Sequence, residues 1–352
     1  MTQLVREAPR ALTRRTAEET ASQVGALLGS FGLVWVLYAQ LLGWSGRLGF
    51  AVCWVAGFLA LYAAVTALAH PRPVVADRVA GAVVLAAAGL VASALVLTIA
   101  YIFTKAWPAL HHRAFFTSDM AGVRPTASLG QGGVLHALVG TAIQVVIATA
   151  VSLPLGIGTA IYLTEVRSRW TSTVRTVVEA MTALPDILAG LFVYAVLVIG
   201  LHWERTGLAA ALALSVTMTP IVARSSEVVL RLVPAGLREA SLALGASRWQ
   251  TVRRVVLPTA RAGLATSLIL GVARVAGETA PLLIVSGAST FTNHDPLHNP
   301  MNSLPLYVFA AIRSGEPRFI ARGYGAAALL LAFVLVLFVT ARFLTRSKVR
   351  AR

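Results

Sequence analysis

The chain has 352 residues, of which 57% are hydrophobic and only 12% are charged, and its mean hydropathy is +0.76. A soluble protein carries about 25% charged residues, so this composition excludes a water-soluble domain and predicts an all-α integral membrane protein of several spans. The net charge is +16, but the basic residues lie between the apolar stretches, where they determine the topology of a membrane protein. We therefore predict no nucleic-acid binding.

The predicted elements begin with a polar segment, residues 1–22. We interpret it as a cytoplasmic tail, because the apolar run after it is too long for the core of a signal peptide. A helix needs about 20 apolar residues to cross the bilayer. Eight spans meet this requirement, and residues 346–352 form a second tail after the last of them: 23–43, 49–69, 79–103, 133–163, 180–201, 207–223, 263–286 and 323–343.

The distribution of basic residues predicts the orientation of the chain. Most of the 30 lysine and arginine residues lie in the two tails and in the segments 70–78, 164–179 and 224–262. The positive-inside rule therefore places both termini in the cytoplasm. A proline-containing break at 70–73 separates the first two spans from the rest. We accordingly predict an accessory helix pair at 23–78 and a six-helix core at 79–345.

The polar segment 225–262, between the sixth and seventh spans, contains a spaced pattern. Glu239-Ala240-Ser241 is followed by Gly245, and Leu257-Pro258 comes twelve residues after that glycine. Glycine allows a turn or the close approach of a partner backbone. We expect the proline to end the helix before it and to redirect the chain toward the membrane. The alternative is a basic amphipathic helix on the membrane surface.

A nucleotide-binding loop is absent from the sequence. No Gly-x4-Gly-Lys-Ser/Thr pattern occurs, and the two lysines, Lys105 and Lys348, follow no glycine-rich turn. The chain therefore cannot bind ATP through such a loop. We expect it to hold no cofactor and no metal and not to be an enzyme. If ATP drives its activity, ATP and magnesium belong to a separate subunit.

Two charged residues lie inside the seventh span. Arg274 and Glu278 are four residues apart, so we expect them to share one helix face. A charge at the bilayer centre costs about 2.5–3.5 kcal/mol on insertion scales. The pair could simply neutralise itself. Alternatively, Arg274 lines a route for anions, because guanidinium binds two oxygens of an oxyanion at once, and Glu278 accepts a hydrogen bond from a protonated phosphate.

These two segments resemble a known family. The pattern at 239–258 resembles the EAA loop of ABC importer permeases, with Ser241 and Val255 as conservative departures. The run from Arg274 through Gly277-Glu278-Thr279 resembles PstA-type permeases of phosphate importers. The resemblance covers roughly residues 125–345, although Asp186 stands where a small serine is expected.

The resemblance implies a type I (MetI-like) ABC importer permease core with two extra N-terminal helices, acting as the phosphate permease of an ATP-driven importer in the bacterial cytoplasmic membrane. It also implies four partners besides membrane lipid: a PstC-type second permease, two copies of a PstB-type ATPase and an external PstS-type phosphate-binding protein. Two sets of residues follow from it, a substrate path and an ATPase contact: Arg274, Glu278, Thr279 and Arg224 for the path; Glu239, Ala240, Ser241, Gly245, Leu257 and Pro258 for the contact.

Three alternatives remain open from the residues themselves. A permease for another oxyanion or a phosphonate would carry a similar loop. A membrane-embedded enzyme would need a cluster of acidic residues and histidines, and the one His-His pair, His111-His112, has no such cluster beside it in sequence. An ion channel would not need the loop pattern. Arg224, at the end of a span, could equally be an ordinary topology arginine.

Overall fold

The structure is a computed structural model that describes residues 17–166 and 168–346. Within these ranges the chain is helical and contains no strand, which confirms the predicted all-α fold class. Most of the first predicted tail, nearly all of the second, and Arg167 lie outside the described residues, so much of the basic charge used to predict the orientation lies outside them too.

The described residues form fourteen α-helices and three short π-helical segments. The α-helices are, in chain order: α1 Ala17–Trp35, α2 Arg47–Ala69, α3 Arg72–Leu110, α4 Arg113–Thr117, α5 Leu135–Glu165, α6 Thr171–Ala183, α7 Asp186–Val193, α8 Gly207–Arg231, α9 Ala235–Ala243, α10 Arg248–Thr251, α11 Leu257–Ala276, α12 Ala280–Val285, α13 Leu304–Arg313 and α14 Pro317–Arg346. The π-helical segments are Val36–Leu41, Tyr194–Gly200 and Val252–Val256.

Seven helical stretches in the described part are long and apolar enough to cross a membrane, and a bent helix pair would make an eighth. The chain is therefore a multi-pass membrane protein. Six of the eight predicted spans correspond to continuous helices: α1 with its π-helical extension, α2, α3, α5, α8 and α14.

The fifth predicted span is broken. Helices α6 and α7 meet at an angle of 103°. Leu184 and Pro185 between them are extended, with ψ of 133° at both residues. Proline lacks a backbone N–H and disfavours helical geometry in the residue before it. The prediction of one continuous span at 180–201 was therefore wrong, because the helix is interrupted at Leu184 and Pro185.

The seventh predicted span also differs from the structure. A continuous helical stretch runs from Arg248 to Ala276, and it passes through Pro258. The π-helical segment immediately before Pro258 lets the helix continue, because its altered hydrogen-bond spacing accommodates a residue without an N–H. The prediction that Pro258 ends a helix was wrong. The break comes instead at 277–279, before α12.

The chain divides into two compact units, Met1–Ile99 and Ala100–Arg352. In the first unit α1 packs on α2, and Tyr62 is fully buried in a small apolar cluster, where its hydroxyl accepts a 3.2 Å hydrogen bond from Gln23. The boundary between the units falls within α3. The functional domain limits inferred from sequence stay a prediction, because compactness alone does not define a function.

In the second unit, α5 and α11 both pack against α8. The contact surface of α8 is rich in alanine, with Ala209, Ala210 and Ala213 fully buried. Small residues allow helix backbones to approach closely in a membrane. We call the end of this unit that contains Glu165, Arg231 and α9 the α9 end, and the end that contains residues 111–134 and 287–303 the loop end.

At the loop end, Arg322 of α14 is completely buried and holds a neighbouring loop. Its guanidinium donates hydrogen bonds to four backbone carbonyls, at 3.3, 3.0, 2.7 and 2.8 Å, in the order Pro125, Ala127, Ser128 and Gln131. No carboxylate among the described residues pairs with it. One buried arginine therefore supplies hydrogen-bond donors to several backbone carbonyls of this loop.

The other loop of the loop end, residues 287–303, packs into the helix bundle just before α13 begins. Gln144 in α5 donates hydrogen bonds to Ser286 Oγ at 3.2 Å and to the Met301 carbonyl at 3.3 Å, and the Ser286 hydroxyl also donates to that carbonyl. The Leu304 N–H donates to Thr141 Oγ1 at 2.7 Å. Residues 301–303 are buried, and a side chain at Gly140 would collide with the Asn302 carbonyl. The loop end is therefore a packed layer.

Candidate functional site

The charged residue predicted inside the membrane, Arg274, lies in the last turn of α11 and contacts two carboxylates. Its Nη2 atom is 3.1 Å from Asp186 Oδ2 and 3.5 Å from Glu278 Oε1. Glu278 does not share a helix face with Arg274, because α11 ends at Ala276 and Glu278 follows in the break. That part of the sequence prediction was wrong, although the two side chains still meet.

The site forms where two interrupted helices meet. Helix α7 begins at Asp186 directly after one break, and α12 begins directly after the other, with Thr279 at its N-cap. The two helices pack so closely that a Cβ at Gly190 would lie 2.6 Å from the Cα of Pro281. Interrupted helices near the bilayer centre are a common way to build ion sites in transporters. Glycine at 190 is what permits this approach.

A cavity of about 300 Å³ adjoins this group. Arg274 and Asp186 both line it, whereas Glu278 and Thr279 do not. The remaining lining comes from α6, the break after it, α7 and α8: Met181, Thr182, Leu184, Ala189, Val216, Thr217, Pro220 and Ile221. The volume is at the small end of ligand pockets in proteins, and the arginine is the one basic side chain in its lining.

Much of the Arg274 guanidinium remains available to a ligand. Both carboxylates contact the same nitrogen, Nη2, while Nε and Nη1 have no hydrogen-bond partner within the described ranges. The side chain is 53% exposed. The planar guanidinium can therefore present two donors to a tetrahedral oxyanion while its third nitrogen stays on the protein's own carboxylates.

Arg224, the second predicted arginine, lies in a different charged cluster near the α9 end. It is 3.1 Å from Glu227 and 3.3 Å from Glu179. Glu227 also accepts contacts from Arg175 at 2.9 Å and Arg231 at 2.7 Å, and its side chain is only 4% exposed. Sequence reasoning missed Glu227, although its spacing of three and four residues from two arginines on one helix was a usable signal.

The structure brings Arg274 and Glu278 together but shows no contact between either residue and Arg224. Arg224 lies one helical turn beyond Pro220, which lines the cavity, or about 6 Å along α8. It remains 42% exposed. The two arginines therefore do not form a single site.

The predicted contact segment forms a short helix, α9, which ends at Ala243, two residues before Gly245. Glu239 and Ala240 are exposed, and the Ser241 hydroxyl is 2.9 Å from that of Thr251. At the C-terminus the N–H groups of Gly245 and Ala246 bond to the carbonyls of Leu242 and Ser241. This is a Schellman motif, which requires a left-handed residue, and Gly245 has φ of +84°.

Helix α9 is fastened to α5 by an ion pair that sequence reasoning missed. Arg238 contacts Glu165 at 2.8 Å and also donates to the carbonyls of Leu230 and Val233. Leu257 is partly buried beside this helix end in an apolar cluster, and Pro258 is exposed. Two apolar side chains next to α9 are also exposed, Leu244 at 88% and Trp249 at 64%.

Comparison with known proteins places this arrangement in a family. Residues 152–350 match the family described as binding-protein-dependent transport system inner membrane component. The phosphate transport system permease protein PstA 1 of Mycobacterium tuberculosis (strain CDC 1551 / Oshkosh) is 38% identical over 252 residues, which cover 71% of this chain and 82% of that protein. The PstA protein of Pasteurella multocida (strain Pm70) is 33% identical over 244 residues, 68% of this chain and 84% of that protein.

A solved structure shares the fold. The chain resembles a bacterial ABC transporter involved in the import of the acidic polysaccharide alginate, with a TM-score of 0.50, 15% identity and coverage of 61% of this chain and 80% of that one. The architecture is that of a type I ABC importer permease, which confirms the predicted fold class. Curated relatives that are 33–38% identical to this chain are named PstA phosphate transport permeases, and the similarity extends over most of their length. The chain therefore belongs to the PstA family of phosphate transport permeases.

Proposed function

We propose that this chain is the transmembrane permease subunit of an ATP-driven phosphate importer, forming the path for inorganic phosphate and coupling to a separate ATPase through α9. Family membership supports phosphate as the cargo. The observation that carries the path is Arg274, a half-exposed guanidinium beside a cavity of about 300 Å³ at the junction of two interrupted helices.

In this proposal Arg274 binds two phosphate oxygens through its Nε and Nη1 groups. Glu278 then accepts a hydrogen bond from the phosphate hydroxyl, since phosphate retains a proton near neutral pH, and Thr279 offers a hydroxyl beside it. Arg224, one turn past the cavity along α8, is the next basic position toward the α9 end. Its two carboxylate partners keep it from holding an anion permanently.

The proposed ATPase contact is the exposed surface of α9 and the turn after it, which contains Glu239, Ala240 and Gly245, with Ser241, Leu257 and Pro258 joining it to α10 and α11. Leu244 and Trp249 add apolar area suited to burial against a protein. The Arg238–Glu165 pair connects this surface to α5, so movement of α9 would be transmitted to a helix that packs along α8. ATP and magnesium would be held by the ATPase.

The complex that follows has this chain and a PstC-type permease in the membrane, two PstB-type ATPase subunits on the cytoplasmic side and a PstS-type binding protein outside. Both termini and α9 would then be cytoplasmic, in the bacterial plasma membrane. The loop end would face outward. The basic residues of 224–262 support this orientation.

The test is phosphate uptake by the complete complex in proteoliposomes, with ATP on the α9 side and binding protein on the other. We expect Arg274→Ala to abolish uptake while the complex still assembles. The matched control is Arg261→Ala, an exposed arginine earlier on the same helix, which should retain uptake. Uptake by Arg274→Ala at the control rate would refute the proposed path. Uptake of another oxyanion in place of phosphate would refute the proposed cargo.

The role of Glu278 has its own test. Glu278→Gln keeps the size of the side chain and removes its charge. We expect the preference for phosphate over sulfate to fall, because a fully ionised sulfate is no longer repelled. An unchanged preference, with assembly retained, would show that Glu278 does not contribute to selectivity.

A further inference from the structure

Asp186 is the nearest partner of Arg274, and the proposed transport function assigns it no role. Its Oδ2 atom is 3.1 Å from Arg274 Nη2, closer than Glu278 at 3.5 Å. Its side chain is 32% exposed and lines the same cavity. It is also the first residue of α7, so its carboxylate lies where the positive end of the helix dipole favours a negative charge. Asp186 therefore occupies a position suited to an anion.

The charges of this group do not favour an incoming anion. Arg274 carries one positive charge, and Asp186 and Glu278 together carry two negative charges when both are ionised. No second lysine or arginine in the described part of the chain contacts these three side chains. A fully ionised anion that approaches Arg274 therefore meets two carboxylates that already share the guanidinium, and the interaction between like charges opposes it.

We propose that Asp186 is a counter-anion that selects the ligand of Arg274. Its carboxylate holds Nη2 of the guanidinium, and a tetrahedral oxyanion binds the free Nε and Nη1 groups only if that oxyanion can donate a hydrogen bond to a carboxylate of the site. This inference rests on the proposed phosphate path, and it identifies Asp186 as the side chain that selects the ligand of Arg274.

This selection follows from the hydrogen-bonding groups that the arginine, the carboxylates and the ligand carry. Arginine has donors and no acceptor, and an ionised carboxylate has acceptors and no donor. Phosphate near neutral pH offers both kinds of group: its P–O oxygens accept from Arg274, and its P–OH donates to Asp186 or Glu278. Sulfate offers acceptors alone, so its binding to Arg274 would leave two carboxylates facing a dianion with no proton between them. The site should reject sulfate and chloride while accepting phosphate.

The test is equilibrium binding of radiolabelled phosphate and sulfate to the complete complex in nanodiscs, without binding protein. We expect Asp186→Asn to tighten sulfate binding about tenfold, which corresponds to roughly 1.4 kcal/mol, with a smaller change for phosphate, so that the preference for phosphate falls. Asp186→Ser should behave in the same way. Asp295→Asn is the matched control, because it removes an aspartate charge from an exposed loop, and it should leave the preference unchanged.

A second measurement uses the unaltered protein and so does not depend on the variants folding. Monofluorophosphate matches phosphate in shape and is a dianion without a proton at neutral pH. The inference requires that it bind at least about tenfold more weakly than phosphate, the equivalent of one charge-assisted hydrogen bond. Equal binding of the two ligands would overturn the inference.

The outcomes separate this inference from the function on which it rests. If the unaltered complex takes up phosphate in an Arg274-dependent way but the Asp186 variants keep its preference, the counter-anion role is wrong and the proposed path stands. If the Asp186 variants lose both ligands as Arg274→Ala does, Asp186 only orients the arginine. If the unaltered complex neither binds nor transports phosphate, both proposals fail.

Discussion

Replacing Gly245 by alanine tests whether the end of α9 depends on a left-handed residue. The backbone there has φ of +84°, and an added Cβ would meet nothing within 4 Å. The penalty is therefore conformational and not steric, about 1–2 kcal/mol for a residue other than glycine. A loss of about 1 kcal/mol makes opening of this turn about fivefold more frequent. The two hydrogen bonds that close the turn, from Gly245 and Ala246, should be affected first.

The assay is amide hydrogen exchange of the peptide that contains α9, in the assembled complex. Gly236→Ala is a matched control: Gly236 also has open space around a new Cβ, but it lies inside α9 without a positive φ. Alanine in place of this glycine, the second residue of the helix, should stabilise α9 by up to about 0.5–1 kcal/mol. The two substitutions should therefore shift exchange in opposite directions, faster for Gly245→Ala and slower for Gly236→Ala. Slower or unchanged exchange in Gly245→Ala would refute the reasoning.

Arg322→Met should lose about 3 kcal/mol of loop stability, because charge-assisted hydrogen bonds to backbone carbonyls are removed; amide hydrogen exchange of residues 125–131 should accelerate, and unchanged exchange would show that Arg322 does not stabilise this loop. Gly190→Ala should reduce phosphate uptake severalfold with assembly retained, because its Cβ would lie 2.6 Å from Pro281 Cα; normal uptake would show that α7 and α12 can separate freely. Burial alone would raise the pKa of Asp119, but hydrogen bonds from Thr292 lower it below 3.8. Because this depressed pKa keeps the carboxylate ionised, its stabilising contribution should be fully present at neutral pH and should be lost only as the pH falls through the folded value. The difference in thermal stability between wild type and Asp119→Asn should therefore be the same at pH 7 and pH 5, and a difference that disappears by pH 5 would contradict this reading.

Six of the eight predicted spans correspond to continuous helices, because an apolar stretch of sufficient length is a local property of the sequence. The same holds for the α9 segment, where Glu239 and Gly245 define a pattern within a few residues. Arg274 could be found because a charge in an apolar run is conspicuous. Each of these signals lies within one helix or one turn.

Features that depend on distant residues could not be predicted in this way. The contact between Asp186 and Arg274 joins positions 88 residues apart, and it exists only because both of their helices are interrupted. Arg322 lies outside the spans predicted from the sequence, yet it is fully buried. Its partners are backbone carbonyls, which carry no side-chain identity that a sequence pattern could reveal. The Arg238–Glu165 pair was missed because its two residues are also far apart in the sequence.

The hydrogen bonds of the loop end also imply when this part of the protein assembles during its synthesis. Gln144 bonds to a carbonyl 157 residues later in the chain, Thr141 to an N–H 163 residues later, and Arg322 to carbonyls more than 190 residues earlier. A nascent chain that has inserted α5 and α8 therefore still lacks the groups that complete this layer. The loop end closes only after α14 has left the ribosome, so a permease truncated before α13 should reach the membrane without the contacts that hold this layer together.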